Sequence, residues 1–281
     1  MKNVYLLVML FVYSATVIAQ NIDSRYVNKQ VFPFGVVETI QSNNLNEERI
    51  LNIYLPDGYD SKGETTYPTI YVLDGSANED FPHIAGLLQF MNMYNLAPKS
   101  IVVGIANVNR YRDFTFPSKH KDDIKTNPAN GGSPKFINFI TTEVQTLINE
   151  NYKTNGHKTI IGQSLGGLLA TEILIKKPTL FDDYIIVSPS LWWNHEKLVD
   201  GAADYFKSNK DLKKRIFVSL GNEHPTMHKV ADKLVDAIED SKNKNIELHY
   251  VPILKEDHAT ILHKAVYQAL ETLNVKKEIK E

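Results

Sequence analysis

The spacing of apolar and polar positions changes once along this chain. "GVVETIQS" and "RILNIYLP" read as strands, and the polar "NNLNEE" between them predicts an antiparallel hairpin near the N-terminus. From "PTIYVLDG" onward the runs are short and apolar at nearly every position: "SIVVGIANV", "HKTIIGQS", "DDYIIVSPS", "KRIFVSLGNE" and "IELHYVPIL". Each is followed by a longer stretch of helical periodicity. Strands that are apolar on both faces suit a parallel sheet covered by helices on both sides. The alternation therefore predicts the α/β class, with a mostly parallel central sheet flanked by helices and antiparallel N-terminal strands completing its edge.

The stretch from Ser133 to Tyr152 shows how a helix fits this scheme. Phe136, Phe139, Ile140, Val144, Leu147 and Ile148 recur at steps of three and four, which predicts one buried face. Ser133 is expected to cap the first amides and Pro134 to occupy the first turn. In an open parallel sheet ligands bind beyond the carboxyl ends of the strands, so the loops after each strand are where chemistry is to be sought.

Composition narrows the classes. A net charge of −2 with mixed signs lacks the concentrated basic surface that a nucleic-acid partner needs. The opening "MKNVYLLVMLFVYSATVIAQ" sets Lys2 before an apolar run and ends in small residues, a signal-peptide pattern with a cut near Ala19. Its apolar part is shorter than the roughly 20 residues that span a bilayer. Export to the periplasm or beyond is expected, with residues 20–281 as one domain and no stable membrane insertion. There is no cysteine, which removes disulfides, a thiolate nucleophile, thiolate metal ligands and a lipidated N-terminal cysteine. Neither a metal nor a cofactor is implied.

Within "KTIIGQSLGGLLATEILIKK", Ser164 stands in Gly-x-Ser-x-Gly between an apolar strand and an apolar helix. A sharp strand-to-helix turn at this point lifts the serine oxygen above the sheet, with Gly162 and Gly166 there to avoid collisions. Starting the helix at once aims the Leu165 amide at charge developing on an attacked carbonyl. A serine hydroxyl needs a base and an orienting acid, and this layout expects them on later loops in the order serine, acid, histidine. His258 follows the last strand and opens the last helix, so it is the candidate base. Glu223, after "RIFVSLG", is the favoured acid; Asp257 is the alternative, although sequence neighbours on a turn usually point apart. A second oxyanion donor is expected from the loop after "TIYVLDG", at Gly75 or Ser76.

Several pieces, taken in order, resemble one known family: "YPTIYVLDG", "SIVVGIANVNRYRDFTFP", "GGSPKFINFITTEV", "IIGQSLGGLLA", "SPSLWWN" and "LGNEH". They are similar to the "putative esterase" family of α/β-hydrolases, which includes enterochelin esterases, IroE-like siderophore hydrolases, feruloyl and acetyl esterases of carbohydrates, and S-formylglutathione hydrolase. The resemblance covers most of the chain after the leader and implies a serine carboxylic-ester hydrolase acting on a small-molecule or glycan-linked ester. "SPSLWWN" looks most like the siderophore branch and implies that Trp192 and Trp193 lie near the cleft as a flat wall for a catecholate, the alternative being core packing. Arg110, on a loop where the family binds substrate, is expected either to meet an anionic group or to pair with Asp113. Two departures stand out: Gln163 where many relatives have histidine, and Glu223 where many have aspartate. A carbohydrate acetyl or feruloyl esterase shares the same mechanism, and a binding protein on a hydrolase fold belongs to another class.

Overall fold

A computed structural model describes residues 32 and 34–274; the expected signal peptide, 1–19, lies outside the described residues. From Gly35 onward the described chain forms one compact unit. Its eight strands are β1 (Val36–Ser42), β2 (Glu47–Tyr54), β3 (Tyr67–Val72), β4 (Ile101–Ile105), β5 (Thr154–Gln163), β6 (Asp183–Val187), β7 (Lys214–Ser219) and β8 (Ile246–Tyr250). They form one sheet in the order β1-β2-β4-β3-β5-β6-β7-β8. The β1–β2 and β2–β4 pairs are antiparallel and every other pair is parallel, as the change of rhythm in the sequence predicts. β4 and β6 are buried at every residue, whereas β1, at the edge, alternates toward solvent. This is the α/β-hydrolase arrangement.

The helices that position the site are α1 (Phe81–Met93), α2 (Arg110–Phe114), α3 (Lys121–Thr126), α4 (Ser133–Phe139), α5 (Gln145–Asn151), α6 (Leu165–Lys176), α7 (Trp193–Asp200), α8 (Ala202–Ser208), α9 (Pro225–Asp240) and α10 (Ile261–Asn274). α4 and α5 are joined by a π-helical turn, Ile140–Val144, so the anticipated helix runs through with its apolar face buried. Ser133 is not its cap: Gly132 holds that position, and the Ser133 hydroxyl is buried without a hydrogen bond. No helix among the described residues is long and apolar enough to cross a membrane.

A buried ion network pins the N-terminal strands to the loop after β4. The Arg49 side chain is 0% exposed and donates to Asp113 Oδ2 at 2.7 Å, to Glu47 Oε1 at 2.8 Å and to the Ala106 carbonyl at 2.9 Å. Its guanidinium also lies 5.1 Å from the centre of the Phe136 ring. Arg112 donates to the other Asp113 oxygen at 2.7 Å and to Glu47. The Arg112 hydrogen bond dominates, and although burial opposes it, the Glu47 carboxyl is held below its usual range. Removing one partner of a buried pair strands the other in low dielectric, at about 3–5 kcal/mol. Asp113→Ala is therefore predicted to lose about that much stability in urea unfolding; a loss under about 1 kcal/mol would show that Glu47 alone satisfies Arg49.

Candidate active site

The parallel strands point the same way, so their exit loops gather along one edge of the sheet. Ser164 joins β5 to α6 with φ 58° and ψ −117°, a left-handed backbone that a non-glycine residue adopts only when its surroundings enforce it. Its N–H donates to the Val187 carbonyl at 3.0 Å, and its own carbonyl accepts from Leu168 at 2.9 Å and Ser190 at 3.0 Å. A Cβ on Gly162 would sit 2.3 Å from the Gly166 carbonyl oxygen, a collision of backbone with backbone. Gly166 is different: the nearest atom to a Cβ there is Leu73 Cβ at 3.4 Å, and the second crowded position is Gly167, 2.9 Å from Pro189 Cα. The collisions expected on both sides of the serine thus fall at Gly162 and Gly167.

Glu223 and His258 meet. His258 Nδ1 lies 2.9 Å from Glu223 Oε2, while Glu223 Oε1 accepts from the Ser188 hydroxyl and, at 3.2 Å, from the Gly221 amide. The Glu223 side chain is only 3% exposed. Burial pushes its pKa up, but the bonds from His258, Ser188 and Gly221 outweigh burial and hold it below the ordinary carboxylate range. A charged carboxylate at Nδ1 keeps the proton on that nitrogen and leaves Nε2 free to accept one. Asp257 is occupied elsewhere, its Oδ1 accepting from the Ala259 amide at 2.9 Å and the Thr260 amide at 3.1 Å. It shapes the turn that presents His258. The Gln163 side-chain amide donates to the His258 carbonyl, tying this turn to the residue before the serine. Ser164 Oγ itself is 3.2 Å from Ser190 Oγ, and no hydrogen bond joins it to His258 among the described residues.

The two candidate amides after β3 separate. Gly75 N–H donates to the Ile105 carbonyl at 3.0 Å, and its own carbonyl accepts from Asn52 at 2.8 Å, so its amide is consumed in tying the loop to the sheet. Sequence spacing could not distinguish it from Ser76, whose amide meets no hydrogen-bond acceptor among the described residues. The Leu165 amide, at the first position of α6, likewise meets no acceptor among the described residues.

Arg110 grips the loop that carries Ser76. Its Nε and Nη2 donate to Asp74 Oδ1 and Oδ2 at 2.6 and 2.9 Å, and Nη2 reaches the Gln163 carbonyl at 3.3 Å. The alternative partner, Asp113, pairs instead with Arg49 and Arg112. Asp74 has φ 55° and also accepts from Asn107 at 2.6 Å. The two tryptophans part as well. Trp193 is 0% exposed and donates its indole N–H to the Phe116 carbonyl at 2.9 Å, so it serves the core and presents no face to a ligand. Trp192 is 38% exposed and keeps a face in solvent. Sequence reasoning passed over Ser188, Ser190, Asp74 and Asn107; the two serines flank Pro189 in "SPSLWWN", where the indoles drew attention.

Comparison with known proteins agrees with this fold. The chain belongs to the family described as "Putative esterase", whose model matches residues 42–260. It is 26% identical over 265 residues to the ferri-bacillibactin esterase BesA of Bacillus subtilis, covering 85% of this chain and 90% of that one. It is 33% identical over 125 residues to the siderophore triacetylfusarinine C esterase of Aspergillus fumigatus, covering 42% of each. Among solved structures, the IroE-like serine hydrolase from Shewanella oneidensis superposes with a TM-score of 0.76 at 26% identity, covering 85% of this chain and 79% of that one. The protein is an esterase on an α/β-hydrolase fold.

One acid beside the site is unusual. Burial, reinforced by the charges of Asp74 and Glu79 and only partly offset by Arg110, raises the pKa of Asp80 to about 7 from 3.8. A carboxyl raised on folding stabilises the native state while protonated, fully below the unfolded value, and that contribution is lost as pH climbs through about 7. Asp80→Asn, which stays neutral, is predicted to gain thermal stability over the wild type as pH rises from about 5 to about 8. Parallel melting curves across that range would contradict the assignment.

Proposed function

We propose that this protein is an exported serine esterase whose triad is Ser164, His258 and Glu223 and whose substrates are siderophore-type esters. The observation that carries the mechanism is the buried Glu223 carboxylate at His258 Nδ1, on a turn tied through Gln163 to the strained serine. Ser164 Oγ exchanges Ser190 for His258, then attacks the ester carbonyl carbon while its proton passes to His258 Nε2. The Leu165 and Ser76 amides receive the oxyanion. As the tetrahedral species collapses, the alkoxide leaves with the proton from His258, and water repeats the sequence to free the acid. Glu223 remains charged throughout and stabilises the imidazolium.

Support for the substrate class comes from the relatives, one named a ferri-bacillibactin esterase and another a siderophore triacetylfusarinine C esterase, and from the solvent-facing indole of Trp192. Arg110 acts here as a positioning residue: its guanidinium, held by Asp74, fixes the Ser76 loop against the Gln163 carbonyl. The apolar leader with Lys2 supports export.

Hydrolysis of 4-nitrophenyl acetate tests the mechanism. Ser164→Ala is predicted to abolish turnover, and Glu223→Gln to lower kcat by about ten-thousand-fold, while Asp257→Asn changes it by only about a few-fold. Full activity in Ser164→Ala, or a larger loss in Asp257→Asn than in Glu223→Gln, would refute the assignment.

A further inference from the structure

A second cleft lies between the far end of α6, the first half of α7 and the segment that leads from α2 into α3. Its volume is about 860 Å³, within the range of pockets that take a small molecule. Phe116, Pro117, Ile175 and Leu198 line it with hydrocarbon, and Lys119, Lys176 and Lys197 stand around them. None of Ser164, Leu165, Ser76, Glu223, His258, Arg110 or Trp192 lines it. Ile175 follows Leu165 by ten residues, so this wall stands about 15 Å along α6 from the elbow. α7 enters the cleft through three successive left-handed residues, Asn194, His195 and Glu196, at φ 50°, 54° and 61°. Non-glycine residues adopt that backbone only where their surroundings enforce it. The turn brings the His195 ring against His120, with centroids 3.7 Å apart.

The charges around the cleft do not cancel. Lys176 is neutralised from within: it donates to Glu172 Oε1 at 2.7 Å, on a side chain only 1% exposed, and its ammonium lies 4.8 Å from the centre of the Phe116 ring. Other acids nearby have their own partners. Glu196 accepts from Lys229 at 2.8 Å and from Lys233 at 2.7 Å, and Asp200 accepts from Lys233 at 3.0 Å. Asp123 Oδ2 accepts from the Ser118 hydroxyl at 2.6 Å and the Asn194 amide at 3.0 Å. Asp122 is out in solvent, 3.7 Å from His120 Nε2. Lys119 and Lys197 are left without an ion pair among the described residues.

We infer that this cleft is a second, non-catalytic site and that its ligand is a free medium-chain carboxylate. The hydrocarbon lies on Phe116, Pro117, Ile175 and Leu198, and the anionic head meets the ammonium groups of Lys119 and Lys197. The ring nitrogens of His120 and His195 supply further hydrogen-bonding groups at the same wall. Both halves of the ligand are needed. An inorganic anion would leave the apolar wall in water, and a neutral chain would leave the two cations without a counter-charge. Lysine stems add to the apolar lining while their heads stay in water, which suits a ligand that is itself amphipathic. The inference is independent of the triad, because no residue of the ester centre takes part in it.

NMR titration of the full chain with sodium octanoate tests the site. Octanoate is predicted to bind one-to-one with a Kd on the order of 1 mM or tighter, moving the ring-proton resonances of His120 and His195 and leaving those of His258 in place. Octan-1-ol is predicted to bind at least about fivefold more weakly, and acetate, which lacks the chain, to show no saturable shift. Lys197→Glu, a change at an exposed side chain, is predicted to weaken octanoate by about five- to tenfold and to leave octan-1-ol unchanged. Equal affinity for octanoate and octan-1-ol, octanoate binding indifferent to Lys197→Glu, or a response at His258 in place of His120 and His195 would overturn the site. Absence of ester hydrolysis by the wild type would overturn the triad alone, since the titration decides the cleft without it.

Discussion

The left-handed backbone at Ser164 is the constraint on which the site depends. A non-glycine residue at φ 58° costs on the order of 1–3 kcal/mol and survives only where packing leaves no alternative. Here β6 receives the Ser164 amide through the Val187 carbonyl, α6 begins at the next residue, and the missing Cβ of Gly162 lets the chain turn back on itself. Relaxing the turn would lower the serine into the sheet edge and swing the Leu165 amide away. The fully buried strands β4 and β6 and the apolar α6 are thus what hold the strained turn in place as well as what stabilises the fold.

Around this elbow the polar groups form three ligatures. Ser188, itself at φ 43°, bonds to the Glu223 carboxylate and so connects the exit of β6 to that of β7. Gln163 connects the exit of β5 to the His258 turn. Arg110 connects the loop after β4 to Asp74 and to the carbonyl before the serine. Each loop is held by a side chain from another loop, so the relative placement of Ser164, His258 and the Leu165 and Ser76 amides does not depend on any one loop being rigid. Such support around a reacting centre is what keeps catalytic geometry within a fraction of an ångström.

Much of this was legible in the sequence because it follows from local rules. Short, largely apolar runs marked the parallel strands, most clearly β4 and β6, and the strand, glycine turn and helix around Ser164 marked the elbow. Chain order then directed attention to Glu223 and His258, which the fold brings to 2.9 Å. What escaped depended on contacts distant in sequence. Nothing near Gly75 reveals that Ile105 takes its amide, and nothing near Trp193 reveals the Phe116 carbonyl that draws its indole into the core. Arg110 and Arg112 look alike in "NRYRDF", yet one turns to Asp74 and the other to Asp113 and Glu47. Ser188 and Ser190 were ordinary loop serines until β7 and α6 were set beside them.

The central claim is that Glu223 and His258 make Ser164 a nucleophile. The most direct measurement is the rate at which a fluorophosphonate forms a covalent adduct, followed by intact mass and located by peptide mapping. The account predicts a single adduct on Ser164, formed quickly in the wild type and slowed by orders of magnitude when Glu223 is changed to glutamine. Labelling at another residue, or an equal rate with and without the Glu223 carboxylate, would contradict it.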